Sequence, residues 1–293
     1  MPVPEWLRDL IANGPVLVDG AWGTELQARG LAPGEMPDFW NLTRPDRVEE
    51  VARSYVEAGS QIILTNTFRA NRIAVASHPD ADRIEAANRA GVEISRRASG
   101  GASRVFASIG PSGKLLLNGD VEPDELRASF DEQACALADA GPDAIVVETM
   151  TDLAEAEIAI AAARSTGLPV VGCMVFDSGK LKNRTMMGVT ATEAAEALTR
   201  FGADIVGANC GNGIEGYIPI CADMSAATTR PIWIKANAGF PEFVDGEFRY
   251  TTTPEEFVSF RGALMDAGAD FLGGCCGTSP AFIRAMASAS DAS

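Results

Sequence analysis

Three cysteines carry the most informative chemistry in the sequence. Cys210 stands in Gly207-Ala208-Asn209-Cys210-Gly211, and Cys275 and Cys276 stand side by side in Gly273-Gly274-Cys275-Cys276-Gly277-Thr278. Three thiolates bind zinc tetrahedrally and leave the fourth position open, the arrangement of a catalytic rather than a closed structural site. The flanking glycines let the backbone bend tightly or approach its neighbours there. Two other readings stay open: small core residues, or a vicinal disulfide between Cys275 and Cys276, which geometry and a reducing compartment disfavour. Cys135, Cys173 and Cys221 fall inside helix and strand patterns and read as buried fillers. The only histidine, His78, precedes Pro79 in a polar stretch and reads as a surface residue, which leaves nucleophilic catalysis with no other histidine base.

These cysteines follow apolar, β-branched runs, and the runs recur. Strands are expected at 16–19, 61–65, 105–109, 144–148, 169–175, 204–209, 231–236 and 271–274. Helices are expected at 47–58, 80–98, 123–140, 152–165, 190–201, 219–227 and 254–267, with a last one opening near Ser279-Pro280. Eight buried, non-alternating strands alternating with helices predict parallel pairing and a single closed (β/α)8 TIM barrel over residues 1–287, with 288–293 as a frayed small-residue tail. An open doubly wound sheet is the rival fold, but Asp19-Gly20-Ala21-Trp22-Gly23-Thr24 is no phosphate-binding glycine turn. In a barrel the residues just past each strand share one mouth. That gathers Asp19, Asn66, Thr67, Glu148, Asn209, Cys210, Cys275 and Cys276 at the C-terminal ends of the strands.

Composition narrows the function classes. With 46% hydrophobic and 22% charged residues, the 293-residue chain can build a sizeable core. Its 40 acidic against 24 basic residues give a net charge of −16, a field that repels nucleic acid and anionic membranes. No apolar run reaches the length of a membrane span, and the N-terminus lacks the pattern of a signal peptide, so a cytoplasmic location is expected.

The two cysteine motifs together resemble the zinc signature of the homocysteine S-methyltransferase family. Asp19-Gly20-Ala21-Trp22-Gly23-Thr24, Asn41-Leu42-Thr43-Arg44-Pro45, Thr65-Asn66-Thr67-Phe68 and Glu148-Thr149-Met150 also look like that family, in its usual order and over nearly the whole chain. The resemblance implies that Cys210, Cys275 and Cys276 hold Zn²⁺ and that homocysteine sulfur takes the open position. It further implies that Glu148 binds the amino group, and that Asp19, Gly20, Ala21, Gly23, Thr24, Asn66 and Asn209 line the substrate. Coordination would deprotonate the thiol at neutral pH and remove the need for a general base.

The methyl donor divides the family. Asn41-Leu42-Thr43 and Cys276-Gly277-Thr278 resemble the homocysteine module of the corrinoid-dependent methionine synthase branch, and the chain ends soon after the eighth unit. A stand-alone module served by a separate methylcorrinoid protein is therefore expected. Direct use of betaine or S-methylmethionine is the alternative, for which Trp22, Trp40 and Phe68 could either form an aromatic cage or simply pack. A reading of another class, a non-catalytic zinc or thiol sensor, would need a fourth protein ligand.

Overall fold

Proline and threonine mark where the helices of this chain begin. Proline occupies the first turn of Pro45–Ala58, Pro123–Asp139, Pro254–Ser259 and Pro280–Ser288, where its missing N–H leaves no bond unmade. Thr190 and Thr253 form reciprocal capping boxes with Glu193 and Glu256. In the computed structural model, which describes residues 4–240, 242–244 and 247–289, these helices alternate with eight parallel strands. They are β1 (Val16–Leu17), β2 (Ile62–Leu64), β3 (Arg104–Ile109), β4 (Ala144–Met150), β5 (Val170–Met174), β6 (Ile205–Gly213), β7 (Ile232–Asn237) and β8 (Ala269–Gly274).

Each strand pairs with the next, β8 returns to β1, and a parallel bridge between Val18 and Ile62 closes the ring. This is the expected (β/α)8 barrel. Its interior is filled from every second residue of the strands: Val16, Val18, Ile62, Leu64, Phe106, Val146, Val171, Cys173, Ile205, Trp233 and Phe271 form one buried cluster. Trp233 stacks near Phe106 with ring centroids 6.0 Å apart and meets Phe271 at 5.2 Å. Beneath them the helix Glu5–Ala12 inserts Leu7 and sets Trp6 edge-on to Phe106, closing the bottom.

Several expectations need correction. The helix expected over 254–267 is two helices, Pro254–Ser259 and Arg261–Asp266, divided at Phe260, where φ −90° and ψ −4° open the turn. Cys135 is exposed rather than a core filler, because Leu126, Phe130, Ala134 and Leu137 take the inward face of Pro123–Asp139 and Cys135 lies about 100° round from Ala134. His78 is half-buried, stacked on Phe39 at 4.1 Å, not a free surface residue. The last helix, Pro280–Ser288, reaches the first residue of the expected tail, and residues 290–293 lie outside the described residues. The sequence pattern did not signal Glu5–Ala12, Gly23–Ala28 or the antiparallel pair Glu242–Val244 and Glu247–Arg249. No described helix is long and apolar enough to cross a membrane.

Interior packing tolerates no side chain at Gly207, where a Cβ would stand 2.0 Å from the Trp233 carbonyl oxygen. Gly207→Ala should therefore lower stability by about 2 kcal/mol or more. Gly262→Ala, in a helix with open space around it, should raise stability by about 0.5 kcal/mol. Thermal unfolding of both variants checks the pair, and an unperturbed Gly207→Ala would contradict the interior described here.

Candidate metal and substrate site

Two residues further along four of the strands, β3, β4, β6 and β7, the inward positions become polar. Ser108 follows Phe106, Glu148 follows Val146, Asn209 follows Gly207, and Lys235 follows Trp233. On β8 the same step runs from Phe271 through Gly273 to Cys275.

These side chains form one network. Ser108 Oγ donates to Glu148 Oε1 at 2.5 Å, and Asn209 Nδ2 donates to Glu148 Oε2 at 3.2 Å and to Thr149 Oγ1 at 2.7 Å. Asn209 Oδ1 accepts from Thr149 N at 2.8 Å, and its Nδ2 lies 3.9 Å from Cys275 Sγ. Asn209 thus ties β4 to β6 across β5 and touches the cysteine group. Lys235, only 2% exposed, donates to Asp19 Oδ1 at 2.5 Å. Asp19 Oδ2 in turn accepts from Leu64 N and from Trp22 Nε1. Burial pushes Glu148 up to about 7, with the Lys235 ammonium as the main opposing influence.

The three cysteines are brought together as expected. Their sulfurs lie within 4.8 Å of one another, with Cys210 Sγ 3.7 Å from Cys276 Sγ, and all are free thiols, so the vicinal disulfide is not formed. Among the described residues no fourth histidine, cysteine or carboxylate joins the group. Three thiols so placed could hold a soft or borderline metal ion. As thiols alone they share their charge unequally. Hydrogen bonds from Cys210 and Cys275 bring Cys276 down to about 3. Cys275, despite the pull of Cys210, is pushed up to about 12 by Cys276 and by burial, and Cys210 is also raised, by its bonds to the other two sulfurs.

Backbone geometry fixes the trio. Cys210 has φ 62° and Gly211 φ 59°, a bulge at the end of β6 where a Cβ on Gly211 would meet the Phe176 carbonyl oxygen at 2.6 Å. Tyr217 Oη donates to the Cys210 carbonyl at 2.6 Å and holds it in this rare conformation. Cys275 N donates to Ala236 O, and Thr278 Oγ1 donates to Cys275 O while accepting from Ala21 N. A Cβ on Gly20 would stand 2.8 Å from both Thr278 Oγ1 and Tyr55 Oη, so the first turn and the cysteine turn pack directly on each other.

The other expected site residues fall into two groups. Ala21 is buried beside Thr278, Gly23 is exposed at the head of Gly23–Ala28, and Thr24 Oγ1 is buried without a partner. Asn66, by contrast, spends its amide on Pro37 O and Asn41 Oδ1 and props the connection between β1 and β2. Trp40 is buried with its Nε1 on Glu35, and the Phe68 ring lies against Gly110, so both are held in packing contacts. Sequence reasoning missed Lys235, Thr149 with φ 61°, Tyr217, and Asn237, whose Oδ1 is buried without a partner. The signal for Lys235 was its two-residue spacing from Trp233 in a strand buried on both faces.

The profile of the homocysteine S-methyltransferase family matches residues 16–290. Methionine synthase of Mycobacterium tuberculosis is 31% identical over 302 residues, which cover 97% of this chain and 25% of that protein. Its counterpart in Mycobacterium leprae is 29% identical with the same coverage. The chain thus spans about a quarter of the length of the curated relatives it matches. In fold it is similar to the homocysteine methyltransferase MmuM from Escherichia coli in its metallated form, with a TM-score of 0.80 at 24% identity over 96% of this chain and 98% of that one.

Because Glu148 is raised above its ordinary 4.5, the folded metal-free chain holds this proton more tightly than the unfolded chain. Its contribution to stability is full below pH 4.5 and is lost as the pH rises toward 7. Glu148→Gln removes that loss. Urea unfolding at pH 5 and pH 8 should show the variant gaining up to about 3 kcal/mol on the wild type between the two values. Parallel pH curves would show instead that Glu148 is ionised throughout.

Proposed function

This chain belongs to the homocysteine S-methyltransferase family, and we propose that its strand-end site transfers a methyl group to the sulfur of homocysteine, giving methionine. The observation that carries this reading is the open trio of Cys210, Cys275 and Cys276 beside the buried carboxyl of Glu148. Those cysteines would hold Zn²⁺. Tetrahedral zinc with sulfur at about 2.3 Å sets neighbouring sulfurs about 3.8 Å apart, and Cys210 and Cys276 are separated by 3.7 Å. When bound, zinc supplies the Lewis acidity that keeps a thiol deprotonated at neutral pH.

The chain's own residues do the rest. Glu148 offers a carboxylate to the substrate ammonium, and Asn209, bonded to both Glu148 and Thr149, keeps that carboxylate aligned with the sulfurs. Asp19 and the turn through Gly20, Ala21, Gly23 and Thr24 would line the amino-acid end, while Asn66 would hold the segment of Pro37 and Asn41 that it bonds. A sensor would need a closed set of ligands, and the trio has no fourth histidine, cysteine or carboxylate among the described residues.

For the donor, the surface favours a methylcorrinoid carrier protein over direct use of betaine or S-methylmethionine. Among the described residues every large exposed apolar side chain lies on a loop leaving the mouth: Leu117 after β3, Leu181, Met186 and Met187 after β5, and Phe240 after β7. The loop after β5, which carries three of these side chains, also carries Lys180, Lys182 and Arg184 against the single acid Asp177, although the net charge of the chain is −16. An apolar rim with a positively charged loop on one side suits an acidic protein surface better than a small cation.

Metal analysis of the purified chain should give about one zinc per chain, lost in Cys210→Ala and kept in Cys135→Ser. Full zinc occupancy in Cys210→Ala would sink the assignment of the trio. For the donor, turnover with a methylated corrinoid protein should exceed that with free methylcobalamin by orders of magnitude. Leu181→Asp should slow the first reaction by about tenfold and leave the second unchanged. Rapid methionine formation from betaine or S-methylmethionine would defeat the carrier while leaving the zinc reading intact.

A further inference from the structure

We propose that Lys235 is a positioning residue for the amino-acid end of the substrate, setting the turn after β1 through Asp19 and providing the counter-charge that lets Glu148 face an ammonium. The proposal rests on the homocysteine reading above and adds to it a residue that makes no metal or sulfur contact of its own.

A lysine is almost never buried without a dedicated partner, and this one has a prepared place. Gly273 leaves the space for its stem, since a Cβ there would stand 3.1 Å from Lys235 Cγ and 2.8 Å from the Asp19 carbonyl. Its ammonium meets Asp19 Oδ1, while Asp19 Oδ2 takes Leu64 N at 2.7 Å and Trp22 Nε1 at 2.8 Å. Four elements, β7, the end of β1, β2 and the head of Gly23–Ala28, are thus joined through one carboxylate. That carboxylate is followed directly by the turn Gly20–Thr24, whose Ala21 carbonyl is held by Tyr55 Oη.

The second link is electrostatic. Burial alone would push the Lys235 ammonium down, but Asp19 and Glu148 more than offset it and leave it raised. A single buried cation therefore serves two buried anions. Asp19 receives it through a hydrogen bond, and Glu148, which spends its oxygens on Ser108 and Asn209, receives it through space. Removing the cation leaves two carboxylates without internal compensation, so the layer would give up charge or geometry at Glu148.

Lys235→Met strands Asp19 and can fail to fold for that reason alone, so the deciding comparison is Asp19→Asn against Asp19→Asn/Lys235→Met. Both remove the Asp19 charge, and only the second removes the cation beside Glu148. With full zinc content confirmed in each, the double variant should show a homocysteine KM at least about tenfold above that of Asp19→Asn, with kcat within about threefold. Equal KM values in the two zinc-loaded variants would overturn the positioning role and leave Lys235 as a structural partner of Asp19. A wild-type chain that binds no homocysteine would instead overturn the family reading of the site.

Discussion

Closing eight parallel strands into a ring sends every second residue of each strand into one shared interior. Everything chemical in this protein depends on where that interior changes character. Up to Trp233, Phe106, Phe271 and Val146 the inward positions are apolar and buried against the helix Glu5–Ala12. One step later they become Ser108, Glu148, Asn209 and Lys235, polar groups with little water to satisfy them, which must satisfy one another. The hydrogen-bond network of the site is therefore the upper boundary of the core rather than a decoration on a loop surface.

Backbone conformation then does what side-chain chemistry cannot. Thr149 and Cys210 both adopt positive φ, an unfavourable choice for a β-branched residue and uncommon for cysteine. Each is tied down by a bond from outside its own strand: Thr149 by the Asn209 side chain, and Cys210 by Tyr217 Oη on its carbonyl. Asn209 thus acts at both places, through its side chain on Thr149 and through its position one residue before Cys210. The strain is local, and the surrounding barrel supplies the rigidity that maintains it.

Much of this was legible in the sequence, and the remainder was hidden for identifiable reasons. Eight apolar runs spaced by helical patterns specified the barrel, and position just past a strand singled out Glu148, Asn209 and the three cysteines, because strand ends of a barrel converge. Asp19 was also singled out, but its commitment to Leu64, Trp22 and Lys235 depends on pairing between distant strands. Lys235 lay inside a run read as a buried strand, with nothing to mark it as a site residue. Thr149 and Tyr217 act through φ and a main-chain carbonyl, which residue types do not announce. Cys135 illustrates a missed periodicity: counting from Phe130, Ala134 and Leu137 places it on the outer face.

The ring is not equally strong all the way round. β1 and β2 contribute only two and three residues, and between them stand an isolated bridge at Val18 and Ile62 and a backbone bond from Gln61 N to Leu17 O. Side chains complete that seam: Gln61 Oε1 accepts from Leu17 N, and Asp19 Oδ2 accepts from Leu64 N. One of the two staples is therefore a carboxylate of the polar layer. Breathing of the barrel should begin along this seam, and amide protons of Leu17 and Leu64 should exchange with solvent sooner than those of the long β4 and β6 ladders. Whatever orders Asp19 from inside the mouth also tightens the closure of the whole cylinder, so occupancy of the site and cohesion of the fold are linked through one hydrogen bond.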